Sequence, residues 1–241
     1  MGLGVLVAVT VAAATALQSV TGFGYALLVA PVFAAAMGPR QGLVTMTLIG
    51  VPMTLFNAVR WRDAIDRRAA VTVSLASLVG MPLGLWVLLE ADERTLTLLV
   101  AVVVLVFTVA MWRGLTLPAG RGTLVTAGIV SGTLATSTGT NGPPLVIAFH
   151  ASEMAPDAFR ATLAAAFVVG NGAALLAFVS RELVGAEELR LAVWGLPAAV
   201  AGALAGDRVF ARLDRVRFRR GVLWLLLATG IVVAISALVR G

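Results

Sequence analysis

The sequence predicts an all-α polytopic membrane protein built as two inverted repeats, each an interrupted in-and-out helical segment followed by three transmembrane helices. Three observations carry this. Of 241 residues, 60% are hydrophobic and only 12% charged, with a mean hydropathy of +0.99. A soluble domain covers its surface with about 25% charged residues, so a soluble enzyme is excluded first. The charges that do occur are gathered between long uncharged runs, and the chain matches itself when shifted by 117 residues.

The uncharged runs cover 1–39, 41–59, 69–89, 95–112, 122–149, 161–180, 191–206 and 222–239. Roughly 20 apolar residues carry a helix across the hydrocarbon core, so six runs are single crossings, and the first and fifth are too long. Both long runs are interrupted. Thr21-Gly22-Phe23-Gly24 breaks the first, and the stretch from Thr136 to Pro144 breaks the fifth. Glycine frees the backbone there, and Pro143-Pro144 cannot continue a helix. Each long run is expected to hold two shorter helices meeting at a non-helical turn. The N-terminus, Met1-Gly2-Leu3-Gly4, lacks the basic stretch of a cleavable signal, and the first run is read as mature structure.

Arginine placement decides how the long runs sit. All 18 basic residues are arginine. If both long runs return to the side they entered, Arg40, Arg94, Arg181, Arg190 and Arg240 share one side and the other 13 share the opposite one, a positive-inside asymmetry. If the breaks are kinks in single crossings, nine arginines fall on each side. The asymmetric arrangement is preferred, and it puts both termini on the outer face of the cytoplasmic (inner) membrane.

The repeat supports the same arrangement. The shift aligns Thr21-Gly22 with Thr138-Gly139, Leu28-Val29 with Leu145-Val146, Met37 with Met154, Pro39 with Pro156 and Thr45 with Thr162, and each half ends in Arg-Gly. The halves are 1–118 and 119–241 of one integral membrane domain. Each holds one in-and-out segment and three crossings, so the second begins on the opposite side from the first. Paired interrupted helices in inverted repeats mark transporters, with the site where the breaks meet.

Composition removes other chemistries. The chain has no cysteine and a single histidine, His150, so disulfides, thiolate metal sites and two-histidine sites are excluded. No cofactor, metal ligand or catalytic residue is expected: Ser19 and Ser137 have no histidine or lysine base within reach. The net charge of +6 is assigned to arginines in cytoplasmic loops rather than to nucleic-acid binding. No carboxylate lies inside a span, which disfavours coupling through a buried acid. Gly80, Pro82, Gly84, Pro197 and Gly202 are read as packing or kink positions, and His150 as an interfacial residue.

Non-helical backbone at membrane depth must be buried in protein or line a wet cavity. A helix that starts at such a turn aims free N–H groups and its positive dipole end there, which favours an anion. The candidate substrate-binding residues are Gln18, Ser19, Thr21, Gly22 and Gly24 at the first break and Thr138, Gly139, Thr140, Asn141 and Gly142 at the second. Asn57 and Asn171, on the helices that follow the breaks, are candidates from near-symmetric positions. Pro143 and Pro144 remove donors from the second turn and shift weight onto Thr140, Asn141 and Gly142.

Gln18-Ser19-Val20-Thr21-Gly22-Phe23-Gly24 followed by Pro31, the turn ending Asn141-Gly142-Pro143-Pro144, and two four-segment halves of this length resemble the sulfite exporter TauE/SafE family over essentially the whole chain. The resemblance implies export of small sulfur-containing anions such as sulfite, sulfoacetate or related organosulfonates. It departs at Asn141, where family members often carry glycine, so it implies a class of anion rather than one compound. The function expected is a secondary transporter of a small anion, with a passive anion channel or a carrier of a non-sulfur organic anion as alternatives. Its expected partners are the anionic substrate and membrane lipid, with homodimerisation left open and no nucleic acid.

Overall fold

Lipid offers no hydrogen bonds, so each spanning segment must satisfy its backbone internally, which a helix does. The computed structural model describes residues 2–115 and 117–209, with Trp224, Leu227, Ala228, Gly230, Ile231 and Ile235. Among the described residues the regular structure is helical: α1 (Gly2–Thr21), α2 (Tyr25–Met37), α3 (Pro39–Arg60), α4 (Arg67–Glu90), α5 (Glu93–Trp112), α6 (Arg121–Ser137), α7 (Gly142–Ala151), α8 (Pro156–Ser180) and α9 (Ala186–Val209), with a 3-10 turn at Arg62–Ala64. Six of these, α1, α3, α4, α5, α8 and α9, are long and apolar enough to cross a membrane, while α2 and α7 are shorter. The last expected crossing, 222–239, and the side chains of the basic run 208–220 lie largely outside the described residues.

Local signals set the ends. Pro39 and Pro156 open α3 and α8, where the missing N–H has no helical partner to lose. Asp66 and Asp92 cap α4 and α5, accepting from the N–H groups of Ala69 at 3.0 Å and Thr95 at 2.7 Å. The two breaks fall where glycine and proline interrupt the long runs, between α1 and α2 and between α6 and α7.

Two tight pairs frame the molecule: α1 packs on α9, and α4 on α6. A Cβ placed on Gly84 would lie 2.0 Å from Thr133 O, and one on Gly202 would lie 2.2 Å from Ala12 O. The backbones therefore touch, the contact that brings helices together in a solvent as apolar as their side chains. Gly80 faces Ile129 and Gly84 faces Thr133; Gly202 faces Ala12 and Gly206 faces Ala16. Residue numbers rise together, so the helices of each pair run in the same direction. Thr136 Oγ1 strengthens the second pair by donating to Met81 O at 2.8 Å.

Between the pairs α3 lies against α8, α3 also meets α9, α8 meets α4, and α2 and α7 pack on α3 and α8 respectively. Arg40 joins the start of α3 to the end of α4, donating from Nε to Leu88 O at 3.0 Å and from Nη2 to Ala91 O at 2.8 Å. At the other end Asp66 N donates to Thr162 Oγ1 at 3.0 Å, joining the starts of α4 and α8. Phe33, Phe149 and Phe178 are fully buried in the core. Outward, α4 presents Val71, Leu75, Val79 and Leu83, four residues apart and each more than half exposed, an apolar stripe suited to lipid.

Candidate functional site

The first break is a glycine turn. Gly22 and Gly24 have φ of +81° and +105°, values that cost a side-chain-bearing residue strain. Thr21 satisfies this turn rather than an outside partner: its hydroxyl lies 3.0 Å from Leu17 O, bonds the Phe23 carbonyl and accepts from Phe23 N at 3.3 Å. Ser19 Oγ donates to Ala16 O at 2.9 Å and faces α9 at Gly206. Gly24 precedes α2 without a side-chain cap, so the first-turn N–H groups of Tyr25, Ala26 and Leu27 have no partner inside the helix.

The second break is more deeply buried, with Thr138, Thr140 and Asn141 at most 5% exposed. Thr138 and Thr140 pair through their hydroxyls at 2.7 Å. Ser131 Oγ donates to Asn141 O at 2.8 Å, and Asn141 Nδ2 donates to Asn171 Oδ1 at 3.0 Å. Gly139 (φ +74°) packs against Leu43 and Met46. At the start of α7, Pro143 and Pro144 bring no N–H, so this end offers fewer donors than α2.

Both breaks border one cavity of about 40 Å³. Of the residues expected at the site, Gln18, Gly24, Gly139, Asn141, Gly142 and Asn171 line it. Ser19, Thr21, Gly22, Thr138 and Thr140 stand behind its wall in the turns or helix contacts just described. Asn57 lies beyond the lining near the end of α3, where its carbonyl accepts from Trp61 N at 3.1 Å. The rest of the wall comes from Phe23, Tyr25, Ala26, Leu27, Met46, Thr47, Gly50, Met53, Thr54, Ala135, Pro143 and Phe167. Thr47, Gly50 and Thr54 make a small, polar stripe on one face of α3, a helical spacing visible in the sequence that could have marked them.

The lining is uncharged among the described residues. Tyr25 OH donates to Met46 O at 3.1 Å, Thr47 Oγ1 to Leu43 O at 2.8 Å and Thr54 Oγ1 to Val51 O at 3.0 Å. The donors left for a guest are the amides of Gln18 and Asn171, the second hydrogen of the Asn141 amide and the N–H groups at the start of α2. Such a set can hold a small anion by hydrogen bonds and a helix dipole, with no formal positive charge.

A second, open hollow of about 370 Å³ lies among Arg60, Trp61, Asp63, Ala64, Asp157 and Arg160. The guanidinium carbons of Arg60 and Arg160 each lie 5.9 Å from the Trp61 ring centroid, within cation–π range. Arg160 Nη2 lies 3.5 Å from Asp157 Oδ1. The Arg160 stem reaches the first break, since a Cβ on Gly22 would meet its Cγ at 2.8 Å. His150, on α7, is exposed and rests its ring 5.0 Å from that of Phe159.

The sequence model of the sulfite exporter TauE/SafE family matches residues 6–233. The chain belongs to the TauE/SafE sulfite exporter family. TauE/SafE proteins are membrane transporters of sulfur-related anions, and with six helices long enough to span this TauE/SafE chain is a multi-pass membrane protein. Comparison with curated proteins and with solved structures gave no match.

Proposed function

We propose that the chain is a secondary transporter that exports a small anion, a sulfur oxyanion or an organosulfonate such as sulfite or sulfoacetate, across the cytoplasmic membrane. One observation carries this: the two helical breaks border a single uncharged cavity midway along α3 and α8. Gln18, Asn141 and Asn171 and the backbone at Gly24, Gly139 and Gly142 contact the anion. Thr21, Gly22, Thr138 and Thr140 hold the turns that position them.

Two inverted repeats, 1–118 and 119–241, account for the packing. Exchanging α1 with α6, α3 with α8 and α4 with α9 turns the α1–α9 pair into α6–α4 and the α3–α9 pair into α8–α4. The start of α3 is tied to the end of α4, whereas the start of α8 is tied to the start of α4. Equivalent helices therefore run oppositely, which supports inversion. On the positive-inside rule the face bearing Arg60, Arg62, Arg67, Arg68 and Arg160 is cytoplasmic, with both termini outside.

The test is thermal unfolding of the purified protein in detergent, followed by its five tryptophans, against sulfite, thiosulfate, sulfoacetate, taurine, sulfate, oxalate and chloride. A ligand at ~100 times its Kd adds about 2.7 kcal/mol. Stabilisation by a sulfur oxyanion or sulfonate is the expected result. Stabilisation by oxalate alone would reassign the substrate, and no shift with any anion would defeat the reading. Saturable counterflow in proteoliposomes would separate a carrier from a channel.

A further inference from the structure

We infer that the cavity selects anions by charge: it takes a singly charged oxyanion and rejects a doubly charged one, so among the proposed substrates it favours hydrogensulfite over the sulfoacetate dianion, and a weak dibasic oxyacid crosses with its proton still on the substrate. This rests on the reading of the cavity as the anion site. Among the described residues, no arginine, histidine or carboxylate lines it, and the chain has no lysine. What faces an anion is neutral: the amides of Gln18, Asn141 and Asn171 and the N–H groups opening α2.

Charge scaling then decides. The electrostatic cost of moving an ion out of water grows with the square of its charge, about fourfold from one charge to two. Its attraction to fixed dipoles grows only in proportion, and a helix end supplies no more than roughly half a charge. Pro143 and Pro144 withhold donors from the opposite side of the cavity. Among the described residues no carboxylate lines the cavity to hold a counter-cation beside an oxyanion. A second negative charge would be left without compensation.

The same lining fixes where a travelling proton can be. Its polar side chains are amides, two threonines already donating to their own helix, and a tyrosine donating to Met46 O. None exchanges a proton near neutral pH. A proton that crosses with the anion is therefore on the anion: hydrogensulfite would carry out one negative charge and one proton, and no side chain would titrate.

The experiment is a tryptophan-fluorescence titration of the purified full-length protein with three probes, from mildly acid to mildly alkaline buffer. Methanesulfonate keeps one charge throughout, sulfate keeps two, and sulfite passes from one to two near neutrality. The expected result is a methanesulfonate affinity that does not change with pH and a sulfate affinity at least about tenfold weaker. The apparent Kd for sulfite should climb about tenfold per pH unit once its second proton is lost. Sulfate binding as tightly as methanesulfonate, or sulfite holding its affinity in alkali, would overturn the inference while leaving the cavity as an anion site. Failure of all three probes to bind would overturn both readings together.

Discussion

Asn141 donates its Nδ2 hydrogen to Asn171 Oδ1 across 3.0 Å, joining the start of α7 to the middle of α8 at the cavity wall. The bond links residues 30 apart in sequence, so it ties the second break to the neighbouring helix. Both amides also face the cavity, which makes one contact serve fold and binding together.

Asn171→Ala leaves the Asn141 amide, only 5% exposed, without its acceptor, at an expected cost of about 1–3 kcal/mol and with weaker anion binding. Asn141→Ala should behave similarly. The double variant should lose less than the sum of the two, by roughly 1 kcal/mol, in melting curves and ligand titrations. Strictly additive losses would mean that the bond contributes nothing.

The glycine contacts make a sharper claim about stability. Gly84→Ala would set a methyl 2.0 Å from Thr133 O, and Gly202→Ala one 2.2 Å from Ala12 O. Each should destabilise by about 1–3 kcal/mol through overpacking. Gly172→Ala, with nothing within 4 Å of its added methyl, is the matched control on α8. Equal melting temperatures for all three would contradict the close approach of the two helix pairs.

Acid should loosen the start of α5. The Thr95 hydroxyl and then the Thr95 N–H hold the Asp92 carboxyl below its usual range. A carboxyl whose folded pKa is depressed adds stability that is present above its unfolded pKa and lost as pH falls through the folded one. The wild type should therefore lose stability on acidification through and below the ordinary carboxylate range. Asp92→Asn should lose less over that interval. Parallel pH profiles for the two would remove Asp92 as the cause.

The breaks were legible because Gly22, Gly24, Gly139 and Pro143-Pro144 each state a backbone restriction that holds whatever surrounds them. Pro39 and Pro156 mark helix starts for the same reason, and Gly80, Gly84 and Gly202 read as packing positions because lipid leaves small residues few other uses. Which polar side chains face the cavity was less legible. A threonine beside a bare turn can serve the turn or a guest, and Thr21, Thr138 and Thr140 are bonded within their turns. Conversely, Thr47, Gly50 and Thr54 form a stripe that in a membrane helix reads as ordinary packing. Only the placement of α3 beside both breaks puts that stripe on the cavity.

The course of the fifth uncharged run can be settled by labelling, because the chain contains no cysteine to give background. If α6 and α7 go in and come back, the loop before α8 lies on the face opposite the one between α4 and α5. If the run crossed once with a kink, the two loops would share a face. The geometry favours the first case, since Arg160 sits with Trp61 while Arg40 sits with the end of α4. Arg94 and Asp157 are both exposed, and Arg94→Cys should react with an impermeant maleimide in intact cells. Asp157→Cys should become reactive only after the membrane is opened, as should Arg62→Cys, which marks the same face. Labelling of Arg94→Cys and Asp157→Cys from one side would require the fifth run to cross, and the inverted relationship of the halves would fall with it.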